Sequence, residues 1–133
     1  MIAGYSGTPL AQKLSLKDGM RVWWEGMPQS VRDEIGREGL QLQLLDSAKP
    51  PIEAAHIFVT ERATLGAKLK QLFPLLASSG FIWVSWPKKA SKVPTDITED
   101  VIRDVCLPMG LVDVKVCAVD AIWSGLKLMR RRK

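Results

Sequence analysis

The stretch Phe81–Lys92, FIWVSWPKKASK, decides how this chain is read. Its first six residues are almost wholly apolar, as in a strand covered on both faces. Pro87 then stops the run by fixing φ and removing a backbone donor. Lys88, Lys89 and Lys92 follow within five residues, interleaved with Ala90 and Ser91. An interior strand of a parallel sheet that ends against positive charge places that charge where ligands bind, outside the C-terminal ends of the strands.

Working outward from this segment, helical and extended patterns alternate along the chain. Upstream, Leu65, Leu69, Leu72, Phe73 and Leu76 recur at helical spacing, with Pro74 late in the pattern and Ser79-Gly80 closing it. Before that, AAHIFVT (Ala54–Thr60) is a second continuous apolar run. LQLQLL (Leu40–Leu45) alternates and predicts a strand with one face better buried. MRVWWE (Met20–Glu25) predicts a strand broken by Gly26-Met27-Pro28. A helix with Val31 and Ile35 inward follows, begun by a Ser30/Asp33 capping box and ended by Gly39. Thr8 and Pro9 predict the start of a short first helix carrying Leu10 and Leu14.

Downstream, Thr98 is the predicted cap of a helix carrying Val101, Ile102, Val105 and Cys106, with Gly110 at its end. LVDVKVCAV (Leu111–Val119) alternates, with Asp113 and Lys115 on one face and Val112, Val114 and Val116 on the other. Ile122–Met129 predicts its antiparallel partner. Strands separated by helices argue for right-handed parallel crossovers. The predicted fold is therefore α/β: a single Rossmann-like three-layer domain with a mostly parallel sheet of about six strands. A C-terminal antiparallel hairpin closes one edge, residues 1–129 form the domain, and residues 130–133 form a basic tail.

Composition bounds the rest. The 133 residues suffice for one domain, and 47% hydrophobic with 25% charged is ordinary for a globular protein. No apolar run approaches the roughly 20 residues of a membrane span, and MIAGYSGTPL lacks the pattern of a signal peptide. The expected location is cytoplasmic, without membrane contact. The net charge is +5, and the closing RRRK supplies four of those charges. Such a tail either touches nucleic acid or an acidic partner, or is a solvated end. Cys106 and Cys117 lack a second cysteine or a histidine at ligand spacing, so small buried thiols are expected and no metal or cofactor is assigned.

The candidate ligand-binding residues all belong to the C-terminal edge of the sheet: Trp86 as a wall, then Lys88, Lys89, Ser91 and Lys92. Arg62, Asp46 and Gly26 come from neighbouring loops. Ammonium groups, a hydroxyl and loose backbone amides suit an anionic small molecule or protein segment. The glycine–serine turn Gly4–Thr8 opens the first helix and offers amides to the same kind of ligand. His56, the sole histidine, is read as a core or interface residue with one hydrogen bond, since no serine or cysteine can be assigned to it as nucleophile. Glu25 and Glu61 end neighbouring strands; ion pairs with Arg62 or Lys88 are the reading preferred over acid–base work. Trp123 is either a partner contact or the aromatic that fills the space above Gly125.

Four segments, GYSGTPLAQKL, HIFVTERATL, IWVSWPKKASK and GLVDVKVCAVDAIWSGLKLMRRR, together resemble a bacterial family, domain of unknown function 3052. That resemblance covers nearly the whole chain and implies no activity. More distantly, Ile52–Lys89 is similar to the strand–helix–strand of the second half of class I S-adenosylmethionine-dependent methyltransferases, and the closing segment to their terminal hairpin. This resemblance implies a shortened version of their sheet, with the first and third strands side by side. The chain departs from their pattern after the first strand. Gly26 is the one glycine of that turn, Met27 and Pro28 crowd the approach, and proline removes a donor. Asp46, 20 positions after Gly26, stands where an acidic residue would meet a ribose.

Three functions follow: a non-enzymatic binding or regulatory module, a degenerate or minimal methyltransferase-like protein, and a nucleic-acid-associated protein using its tail.

Overall fold

A computed structural model describes residues 7–132. Gly4, Tyr5 and Ser6 of the predicted N-terminal turn lie outside the described residues, as does Lys133. The elements are α1 (Leu10–Lys13), β1 (Arg21–Glu25), α2 (Gln29–Gly36), β2 (Gln43–Leu44) and β3 (Ile52–Phe58), then α3 (Arg62–Leu72), β4 (Leu76–Pro87), α4 (Glu99–Cys106), β5 (Leu111–Ala118) and β6 (Trp123–Arg130).

The six strands form one sheet in the order β2-β1-β3-β4-β6-β5. β2, β1, β3 and β4 run parallel; β6 is antiparallel to β4 and to β5. This is the expected architecture, with the first and third strands adjacent and β4 interior. The two continuous apolar runs are β3 and β4 because only central strands bury both faces. On one face Leu10, Leu14, Val31 and Ile35 of α1 and α2 pack with Val22, Phe81 and Trp83. On the other, Leu65, Leu69 and Leu72 of α3 and Ile102 and Cys106 of α4 pack with Ile57, Ile82, Val84 and Trp86.

Several local expectations are corrected. LQLQLL pairs with β1 only at Gln43 and Leu44. Its earlier residues bond to the turn before β1: Gln41 N–H donates to Asp18 (2.8 Å), and the Gln41 carbonyl accepts from Gly19 N–H (2.7 Å). At an edge, the local turn outcompetes a one-sided ladder. The Ser30/Asp33 capping box does not form, because α2 begins at Gln29 with Pro28 as its cap, and Asp33 accepts from the Gln29 side chain at 2.9 Å. α3 ends at Leu72; Pro74 lies in a following 3₁₀ turn, and β4 starts at Leu76, ahead of Ser79-Gly80. The Thr98 cap is present, its hydroxyl accepting from Val101 N–H at 3.2 Å.

β5 carries a bulge at Val114, between Asp113 and Lys115. An extra residue resets which side of the sheet the next side chain takes. Asp113 therefore binds Arg103 of α4 (3.0 Å), while Lys115 reaches the Lys13 carbonyl of α1 (3.2 Å) on the opposite face. The two had been expected on one face. The space above Gly125 is filled by Trp83 and Val119, each 3.2 Å from where a Cβ would stand; Trp123 instead meets Phe58 edge-on, centroids 5.0 Å apart.

β6 includes Arg130, one residue past the expected domain boundary. Its guanidinium donates to the carbonyls of Ala77 (2.6 Å), Leu76 (2.9 Å) and Phe73 (3.2 Å), and Arg131 donates to Leu107 (2.7 Å). These two arginines of the basic tail cap the ends of 3₁₀ turns, as cations do at helix C-termini. No helix among the described residues is long and apolar enough to cross a membrane.

Candidate functional site

The C-terminal ends of β1, β3 and β4 bring three turns to one edge of the sheet, and each turn has its own character.

After β1, Gly26 adopts φ +71°, which glycine accepts without strain. A Cβ there would stand 3.2 Å from the Phe58 carbonyl oxygen and 3.5 Å from the Phe58 Cβ. The glycine is thus required by close packing of this chain's own third strand. Met27 is buried in the α1–α2 core and Pro28 caps α2 without an N–H to offer. Asp46 is exposed just beyond β2. Glu25 makes an ion pair with Lys68 of α3 and accepts from the Trp23 indole at 3.1 Å. Its expected partners, Arg62 and Lys88, are not the ones it takes, because α3 lies over this strand and presents Lys68 first. Glu61 is exposed at the head of α3 and forms no ion pair among the described residues.

The turn after β3 is stitched to the segment that follows β4. Thr95 donates its hydroxyl to the Thr60 carbonyl (2.6 Å), and the Asp96 carboxylate accepts from Arg62 N–H (2.7 Å) at the start of α3. A helix start favours an anion; here the chain supplies that anion itself. The Arg62 side chain lines an open groove of about 670 Å³ between α3 and α4, with Gly66 and Lys70. None of Lys88, Lys89, Ser91 or Lys92 lines that groove, so Arg62 is not brought into their company by it.

After β4, Lys88 N–H donates to Ile122 of the β5–β6 turn at 2.7 Å. Lys89–Ser91 form a 3₁₀ turn closed by bonds from Ser91 and Lys92 N–H to the carbonyls of Lys88 and Lys89. The Ser91 hydroxyl donates to Lys88 (2.6 Å) and accepts from Val93 N–H (3.3 Å). The loose amides expected here are mostly spoken for, and Ser91 serves the turn. A tight turn satisfies its own donors first. The ammonium groups of Lys88, Lys89 and Lys92 form no ion pair among the described residues. Trp86, expected as a pocket wall, is buried against α3 and α4. Its indole N–H has no acceptor among the described residues, none of whose fully buried side-chain N or O atoms lacks a partner, so this N–H keeps some contact with solvent.

A Ser–His contact that sequence reasoning missed lies below this edge. His56 Nε2 is 2.7 Å from Ser85 Oγ, and both side chains are buried. Burial lowers the His56 pKa to about 3, so the ring is neutral. It stacks on Phe58 with centroids 4.5 Å apart. His56 is the core histidine expected. Its serine was invisible because His56 pairs with Trp83, which sets Ser85 diagonally opposite, two residues along. Without an approach for substrate, the contact is a satisfied buried pair rather than a nucleophile and its base.

Elsewhere, Cys106 is buried, and burial together with the nearby Asp113 charge pushes its thiol up to about 11. Cys117 is half-buried, and burial raises its pKa too. The described residues hold no group of three or more side chains suited to a metal ion.

A methyltransferase of this fold needs a turn after β1 that admits its cofactor closely. The turn here fits that role poorly: it has one glycine, whose missing side chain makes room for Phe58, a buried Met27, and Pro28 without a donor.

No protein-family model and no curated protein sequence matches the chain, so the resemblance to domain of unknown function 3052 finds no support there. Solved structures do match in fold. A SAM-dependent methyltransferase from Aquifex aeolicus superposes with TM-score 0.63 at 16% identity, over 91% of this chain and 87% of that one. A methyltransferase from Pyrococcus furiosus gives 0.59 at 11% identity, over 92% and 80%. The ribosomal protein L11 methylase of Lactobacillus delbrueckii subsp. bulgaricus gives 0.58 at 11%, over 92% and 78%. The fold is that of the class I methyltransferases, which bears out the more distant of the two resemblances.

Proposed function

We propose that this chain is a degenerate methyltransferase-like protein that works as a binding or regulatory module rather than as a transferase. The observation that carries the reading is the Gly26 turn, whose cleared space belongs to Phe58. A turn with one glycine, a buried methionine and a proline in place of a donor offers a methyl-donor cofactor little backbone to rest on. The feature it retains is the lysine loop after β4. Lys88, Lys89 and Lys92 present three charges without an ion pair among the described residues, a surface suited to an anionic small molecule or protein segment. A minimal S-adenosylmethionine-dependent enzyme is the second reading, favoured by Asp46 standing exposed beyond β2 within a methyltransferase fold.

Two titrations separate them. Saturating S-adenosylmethionine leaves the melting temperature unchanged if the site is degenerate; a rise that Asp46→Ala removes would establish the second reading. Among phosphate- and carboxylate-bearing metabolites, at least one produces a rise that Lys88→Ala with Lys89→Ala lowers. No rise with any anion, or a rise indifferent to those lysines, overturns the loop as the binding surface.

A further inference from the structure

On the α1 face of the hairpin, Lys115 and Lys127 are direct cross-strand partners. Like charges placed opposite one another destabilise a sheet. The ammonium of Lys115 sits on the Lys13 carbonyl (3.2 Å), and that of Lys127 sits on Ser15 Oγ (3.0 Å) and over the Phe81 ring (4.3 Å). Both therefore converge on the segment Lys13–Lys17, which adds two more lysines. Carboxylates close in sequence are turned away. Asp18 accepts from Gln41 N–H, and the bulge at Val114 sends Asp113 to Arg103 on the other face. Among the described residues no ion pair neutralises any of the four lysines.

Part of this arrangement serves the fold, since cations suit the C-terminal turn of α1. One ammonium would meet that need; four without a counter-charge exceed it. The cluster is also felt electrostatically: burial lowers the Lys127 pKa, and Lys115 and Lys17 lower it further.

We propose that Lys13, Lys17, Lys115 and Lys127 form a binding surface for a phosphate-bearing anion, separate from the loop after β4. Lys127 lies four residues along β6 from Trp123, roughly 13 Å at strand spacing. Lys13, Lys17 and Lys115 flank it, so the surface takes a group with several oxygens rather than a single carboxylate. The phosphate belongs either to a small molecule or to a nucleic-acid backbone, and the two probes below distinguish them.

The test is chemical-shift mapping on the full chain with inorganic pyrophosphate and, separately, with a sixteen-nucleotide oligothymidine. The expected result is salt-sensitive binding of at least one probe, with perturbed amides at residues 13–17, 115–117 and 125–127. Pyrophosphate alone identifies a small phosphate ligand, and oligothymidine alone a phosphodiester backbone. Lys17→Glu, at an exposed position without a side-chain hydrogen bond, weakens binding about fivefold or more while leaving the fold intact. Lys115→Gln with Lys127→Gln weakens it further, and Lys88→Ala with Lys89→Ala leaves the perturbations at residues 13–17, 115–117 and 125–127 in place. No binding of either probe, perturbation confined to residues 88–92, or indifference to Lys17→Glu overturns the proposal.

Discussion

The turn after β1 and the turn after β4 stand at the same edge of one sheet and have opposite characters. Gly26 leads into a buried Met27 and a helix, and the space it clears is taken by Phe58. Pro87 leads into a self-bonded 3₁₀ turn with Lys89 and Lys92 exposed, Lys88 half-buried, and none of the three ammonium groups in an ion pair among the described residues. The first turn is closed by packing and the second is closed by its own backbone bonds but open in its side chains. Under the reading proposed above, the first turn has lost a ligand position and the second keeps one. A site built on backbone approach depends on what packs against the turn, whereas a site built on side chains is compatible with a satisfied backbone.

The strongest way to break the comparison is at Gly26. A β-branched side chain at φ +71° is strained, and its Cβ meets Phe58, so Gly26→Val destabilises by about 3 kcal/mol in urea unfolding. If the variant is as stable as the parent, Gly26 is not held by packing and the turn is free to receive a ligand.

The next test lies in β3, which pairs with both β1 and β4. His56 is held neutral in the fold, with a pKa of about 3 against an ordinary 6.5. As pH falls below about 6.5 the unfolded chain takes up a proton that the folded chain refuses. Stability then declines by up to about 1.4 kcal/mol per pH unit, until the folded ring itself titrates near 3. Asp113, whose pKa the Arg103 hydrogen bond lowers, contributes stability that is lost only as pH drops below its ordinary 3.8. The interval from about 6.5 to 4 therefore reports His56, and His56→Phe flattens it. Ser85→Ala leaves Nε2 unpartnered and costs about 2 kcal/mol at neutral pH.

A smaller effect is expected at the stitch between the β3 and β4 turns. Asp96→Ala removes the carboxylate that accepts from Arg62 N–H and costs about 1 kcal/mol, comparable to losing an N-cap, while Asp96→Asn recovers most of it. Smallest of all is Lys88→Ala with Lys89→Ala, within about 0.5 kcal/mol of the parent in urea unfolding, because Lys89 is exposed, Lys88 is half-buried, and neither ammonium forms an ion pair among the described residues. A larger loss would mean that the loop is structural and that the contrast with the first turn is misdrawn.

How much of this was legible in the chain can be argued from particular residues. The apolar runs Ala54–Thr60 and Phe81–Trp86 announced central strands because burial on both faces leaves no polar alternation. The helix of Leu65, Leu69 and Leu72, the Thr98 cap and the closing hairpin follow from local periodicity and capping chemistry. The charged loop of Lys88, Lys89 and Lys92 is legible because Pro87 ends the strand immediately before the lysines. What failed were inferences about individual contacts that depend on a neighbour's exact position. LQLQLL alternates like a strand, yet the turn at Asp18–Gly19 claims its backbone. Asp113 and Lys115 are two apart, yet one bulge separates their faces.

Local chemistry thus determined the elements, their order and the α/β class, since apolar spacing, proline and caps act within a few residues of themselves. The tertiary structure alone decided that Gly26 serves Phe58, that Ser85 meets His56, that Glu25 pairs with Lys68, and that Lys115 and Lys127 share a face with α1. Each of these contacts joins residues tens of positions or more apart or depends on strand register, and register is a property of the assembled sheet rather than of any one segment.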